Sequence, residues 1–116
     1  MTAKLMDLEA ALNRLGRDRR LLADMIQFYL EDAPTLLEDA RRGLDANDAV
    51  TFERAAHSLK GLSSNFSAER AIDAARELEI LAGTGDLSQA HAGFERLERE
   101  VTALREALES YQRTAR

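Results

Sequence analysis

Apolar residues recur along this chain at steps of three and four, the period of a helix face, and no stretch alternates as a half-buried strand would. Leu5, Leu8, Leu12 and Leu15 predict a short first helix over about 5–15, ended by Gly16. Leu22, Met25, Ile26 and Tyr29 mark a second over about 18–32. Pro34 then either kinks that helix or opens the first turn of a continuation carrying Leu36, Leu37, Ala40 and Leu44. A third helix spans about 48–65, with Asn47 or Asp48 placed to accept the N–H groups its first turn leaves free. Ser67 offers the cap of a fourth, which runs through Ile72, Ala75, Leu78 and Leu81 to Gly83-Thr84-Gly85. Asp86 with Gln89 three positions on has the spacing of a capping box. The last helix carries Ala90, Phe94, Leu97, Val101, Leu104, Leu108 and Tyr111 on one stripe.

Short connections between successive helices favour an all-α fold, an antiparallel four-helix bundle with an additional short N-terminal helix. No repeat, low-complexity tract or linker divides the chain. Residues 1–116 therefore read as a single domain, the short helix over about 5–15 and the bundle over about 18–115. The stripe from Phe94 to Tyr111 also fits a coiled coil, so a non-catalytic helical adaptor or dimerisation module is the alternative reading. A bundle closed within one chain is expected to be a monomer; a stable dimer through that stripe would favour the adaptor.

Composition narrows the function classes. At 116 residues the chain is long enough for one hydrophobic core, and 45% apolar with 32% charged residues suits amphipathic helices with solvated outer faces. The net charge of −5, with basic residues scattered among acids, argues against nucleic acid as a partner. No run approaches the 18 or more apolar residues of a membrane span, and the start resembles no signal peptide. The absence of cysteine excludes disulfides and thiolate chemistry and fits a reducing compartment, so a cytoplasmic location is expected. Length and an initiating methionine fit a complete small protein, with a domain excised from a longer chain as the alternative reading.

The third helix carries the chemistry. Phe52, Ala55, Leu59, Leu62 and Phe66 form its inward stripe, and His57, two positions from both Ala55 and Leu59, lies about 200° around the helix on the outer side. On that side stand Lys60, Gly61 and Ser64, with Glu53 and Arg54 one turn earlier. Imidazole keeps a ring nitrogen free near neutral pH and is able to attack phosphorus. A mid-helix glycine on an exposed face costs about 1 kcal/mol against alanine, so Gly61 suggests a surface that something approaches closely. His91, beside the last helix's stripe with no such neighbours, reads as a surface residue. The two histidines lie on different helices without further convergent ligands, so no metal site is expected, and Gly83-Thr84-Gly85 lacks the lysine and strand of a phosphate loop.

The segment Ala56-His57-Ser58-Leu59-Lys60-Gly61-Leu62-Ser63 resembles the signature of the histidine-containing phosphotransfer (HPt) domain family, a histidine followed at three and four positions by lysine and glycine. Phe28 through Pro34, Leu37 and Leu78-Glu79 are similar to the family's layout over nearly the whole chain. The resemblance implies that His57 accepts and donates phosphoryl groups, that Lys60 stabilises the phosphohistidine, and that Gly61 lets a response-regulator receiver domain dock. Arg54, Ser64, Leu62 and Met25, with Leu21, would complete the docking face. The implied partners are receiver domains and a hybrid sensor histidine kinase. The implied activity is that of a phosphoryl carrier without a kinase or ATP-binding domain. No cofactor belongs to this chain, and Mg²⁺ is expected on the receiver. The chain departs from the family where Ser64 and Ser67 replace glycines common seven and ten positions after the histidine. The phosphoacceptor hairpin of sensor kinases, which follows its histidine with an acid and a proline, fits less well, because Ser58 follows His57 here.

Overall fold

In the computed structural model, which describes residues 2–115, the regular elements are helices. They are α1 (Leu8–Arg14), α2 (Arg19–Asp45), α3 (Ala49–Ser64), α4 (Glu69–Gly83) and α5 (Ala90–Thr114). Helices α2 to α5 pack each on the next, and α5 closes the ring against α2. This is the four-helix bundle with an added N-terminal helix that the apolar period predicts. The buried side chains form one cluster, centred on Tyr29, Phe52, Leu59, Phe66, Leu78, Phe94 and Leu104.

Three helix starts follow from local sequence. Asp7, Asp18 and Asp48 each accept a hydrogen bond from a first-turn backbone N–H, of Ala10, Leu21 and Thr51. A carboxylate at this position satisfies an otherwise orphaned donor and lies at the positive end of the helix. Asp48, rather than Asn47, is the cap of α3; Asn47 takes a left-handed turn at φ 54°.

Two expected caps are corrected. Ser67 does not cap α4: its φ of 51° places it in a left-handed corner, its hydroxyl accepts from Arg14 Nη1 at 3.0 Å, and the buried Ala68 holds the cap position without a side-chain bond. Asp86 does not form a capping box with Gln89. Its carboxylate accepts from the N–H of Ser88 two residues on, and Leu87 turns into the core, so α5 begins only at Ala90. In both places tertiary burial of a neighbouring apolar residue overrides the local capping option.

The first helix is also shorter than its leucine spacing suggests, because the segment before it is tied to the start of α4. Lys4 N donates to Glu69 Oε2 at 2.9 Å, Arg70 N to the Lys4 carbonyl at 3.1 Å, and Asp7 N to the Phe66 carbonyl at 2.8 Å. Arg14 closes the same corner, donating through Nη2 to the carbonyls of Ser64 and Asn65 at the end of α3.

Pro34 lies inside one uninterrupted α2, which forms the single arm that either reading of this region predicts. Burial on both sides of it, at Ala33 and Ala40, holds the helix through the missing N–H. Further along, α2 comes against α3 at Gly43, where an added Cβ would lie 2.8 Å from the backbone nitrogen of Phe52. Gly43→Ala should therefore destabilise the fold: overpacking costs about 1–3 kcal/mol, and the ~1 kcal/mol gained in helix propensity offsets only part of it. The check is a urea midpoint lowered at unchanged slope; an unchanged midpoint would contradict the close approach of α2 and α3.

Candidate functional site

Helix α3 buries Phe52, Ala55, Ala56, Leu59 and Ser63, and this strip turns the opposite side of the helix to solvent. Within it the Ser63 hydroxyl lies 3.2 Å from the hydroxyl of Tyr29. Tyr29 is itself wholly buried and stacks edge-on against Phe66 at 5.6 Å between centroids. Burial pushes the Tyr29 phenol up to about 12, so it remains a neutral hydrogen-bonding group that fixes α2 against α3. The small residues Ala56 and Ser63 widen the inward strip to one side. Leu62, expected inward with the other four, is thereby turned to the edge and is only half-buried.

His57 stands on the outer side of α3 with its side chain 67% exposed. One turn on, Lys60 is 28% exposed, and from α4 the carboxylate of Glu79, 19% exposed, reaches both of them. Glu79 Oε2 lies 2.5 Å from His57 Nδ1, and Lys60 Nζ donates to Glu79 Oε1 at 2.5 Å. The hydrogen bond from Lys60 outweighs partial burial and, with the His57 contact, holds the Glu79 carboxyl below the usual carboxylate range. An ionised carboxylate only accepts hydrogen bonds, so the ring atom facing it, Nδ1, carries the hydrogen. Nε2 is then the atom with the free lone pair, on a ring that is two-thirds exposed.

No role for Glu79 follows from its sequence position, where Leu78-Glu79 is only similar to a family layout. A signal was present nonetheless. Ala71, Ala75, Leu78 and Ala82 define the buried face of α4, and Glu79 borders that face on the side of α3, where a carboxylate needs a partner.

Between α2 and α3 runs an open groove of about 550 Å³, with Leu36, Gly61 and Leu62 as its apolar part and Asp32, Thr35 and Ser58 along its walls. A Cβ built on Gly61 meets nothing within 4 Å, in contrast to Gly43. No internal packing therefore requires glycine at 61. Ser64 hydrogen-bonds back to the carbonyls of Lys60 and Gly61 at 2.9 Å each, so its hydroxyl is folded onto its own helix. At Ser67, the second departure from the family pattern, the chain adopts the left-handed conformation that glycine takes without strain, and Arg14 braces it.

The remaining residues named from sequence surround this region. Arg54 is exposed on α3 and, with Val50, Glu53, His57 and Glu79, lines a second depression of about 400 Å³. Met25 is half-buried against the core, while Leu21 at 42% and Phe28 at 57% are more exposed on α2. His91 is exposed on α5, far along the chain from this cluster. Among the described residues no three His, Cys, Asp or Glu side chains converge as a metal site, and no helix is long and apolar enough to cross a membrane.

Comparison with known proteins follows the same outline. Over 99% of its length the chain is similar to all of histidine-containing phosphotransfer protein B (HptB) from Pseudomonas aeruginosa PAO1, with a TM-score of 0.88 and 27% identity. It is also similar in fold to the HPT domain of a sensor hybrid histidine kinase from Shewanella, with a TM-score of 0.83, 18% identity and 97% of each chain covered. A search of curated proteins finds no match. The family model described as Hpt domain matches residues 24–107, a span that contains His57, Lys60, Gly61 and Glu79, and the chain belongs to the Hpt domain family.

Proposed function

We propose that His57 is the residue through which this phosphorelay domain carries its phosphoryl group. The observation that supports this most is the outward, largely exposed imidazole whose Nδ1 is held by Glu79, beside a glycine that no internal contact requires. A receiver domain docks along the groove between α2 and α3 and presents its phosphoaspartate. Nε2 attacks phosphorus in line, the bond from phosphorus to the aspartate oxygen breaks, and the carboxylate leaves with the electron pair. The ring gains positive charge, which the Glu79 carboxylate at Nδ1–H counters. In the reverse step the ring leaves as neutral imidazole, its remaining hydrogen still on Nδ1.

The receiver supplies the Mg²⁺ and most of the charge stabilisation, since phosphoryl transfer depends chiefly on positioning and electrostatics. In this proposal the chain is a monomeric single domain of the cytoplasm, a carrier rather than a kinase. Its docking face comprises Gly61, Ser64, Arg54, Leu62 and Met25, with Leu21 and Phe28 as exposed apolar additions. Both a hybrid kinase's receiver and a downstream response regulator use that face in turn.

The test is transfer from a panel of phosphorylated receiver domains, with Mg²⁺, to the wild-type chain. Acid-labile label on the chain is the expected result; a folded chain that takes no label from any receiver would return the weight to the helical adaptor. Lys60→Ala should slow this transfer roughly tenfold, the size of one charge-assisted hydrogen bond, because Glu79 is left as an unpaired anion beside the incoming phosphoryl group. Single-turnover rates measured at saturating receiver check this, and an unchanged rate would contradict the role.

A further inference from the structure

The charged side chains around His57 cancel. Glu53 and Arg54 share one depression with it, and Lys60 is joined to Glu79. Two acids and two bases leave no net positive charge for a group that arrives with nearly two negative ones. Arg54 and Lys60 stand three positions either side of His57, and of the two it is Lys60 whose ammonium is already bonded to a carboxylate, one that is itself mostly shielded from water. A phosphoryl group on Nε2 that draws on Lys60 shares it with Glu79.

We infer that Glu79, besides orienting the imidazole, acts as an internal competitor for Lys60 that keeps the phosphoryl group on His57 short-lived and ready to move on. This rests on the proposed role of His57 and adds to it a determinant of lifetime. The chemistry concerned is hydrolysis or onward transfer, in which the bond from phosphorus to Nε2 breaks, the electron pair returns to the ring, and water or a receiver carboxylate forms the new bond to phosphorus. A cation free to neutralise the phosphoryl oxygens holds the group in place; a cation occupied by Glu79 does so less well. Glu79→Gln keeps an oxygen for Nδ1–H and so keeps the ring's orientation, but removes the competing charge.

The experiment uses phosphoramidate, a small donor that needs no docking, to load the wild type, Glu79→Gln, and Glu79→Gln combined with Lys60→Gln, and follows loss of the phosphoryl group over time. Glu79→Gln should lengthen the phosphohistidine lifetime roughly fivefold, which is about 1 kcal/mol, and adding Lys60→Gln should cancel most of that gain. In denaturant the three lifetimes should coincide, which separates the effect from a mere change of fold. An equal or shorter lifetime for folded Glu79→Gln overturns the inference, as does a gain that survives removal of Lys60. Those outcomes leave the carrier role of His57 standing. A wild type that cannot be loaded at His57 by phosphoramidate or by any receiver removes both.

Discussion

His57→Gln abolishes phosphoryl uptake from every phosphorylated receiver while leaving thermal stability within about ±0.5 kcal/mol of wild type, the range of surface substitutions away from caps and core. The two halves of this expectation come from separate observations. Uptake is lost because glutamine has no nucleophilic nitrogen to replace Nε2, and the other histidine, His91, is on α5, outside the Glu79 cluster. Stability is kept because the His57 side chain is two-thirds exposed and its one polar contact is at the surface end of Glu79, which retains Lys60. Label counts and a melting curve on the same preparations decide it. Residual label near wild-type level would move the acceptor elsewhere; loss of folding would mean that the imidazole is part of the core.

Gly61→Arg separates docking from chemistry. An added Cβ at 61 meets nothing, so a long side chain fits the isolated molecule without strain, and leaving glycine in a helix interior gains about 1 kcal/mol. The same side chain would project over the groove between α2 and α3, where Leu36, Leu62 and Ser58 lie open. Transfer from a receiver should fall by roughly a hundredfold or more, since a bulky cation in an apolar docking surface costs several kcal/mol. Loading by phosphoramidate should proceed as in wild type, and the melting point should stay level or rise. Unimpaired transfer from receivers would place their docking surface away from α3. A lower melting point would show that Gly61 is needed for packing after all, as Gly43 is.

The bundle was legible in the sequence because the apolar period of three and four is written through every helix and because Asp18 and Asp48 stand where first turns need acceptors. What escaped was decided by contacts between elements. Ser67 and Asp86 have good capping side chains, yet the corner at Phe66-Ser67-Ala68 is set by Arg14 and the N-terminal segment, and the one before α5 by Leu87 entering the core. That Pro34 sits within one continuous helix, rather than at the first turn of a second, depends on burial either side of it.

The site divides in the same way. His57, Lys60 and Gly61 lie on one helix, so their spacing alone places them on one face. Glu79 comes from another helix 22 residues away, and only the register of α4 on α3 brings its carboxylate to both His57 and Lys60. The exposed Phe28 and Leu21 on α2 belong to the same class, since their exposure depends on which side of α2 its neighbours cover.

In this mechanism a single imidazole, that of His57, carries the phosphoryl group. The most direct measurement is mass spectrometry of the chain after brief exposure to a phosphorylated receiver and Mg²⁺, digested at alkaline pH where phosphohistidine survives. One phosphoryl group on the peptide containing His57, with none on that containing His91, is the predicted result. Phosphorylation at any other residue, with His57 unmodified, would contradict it.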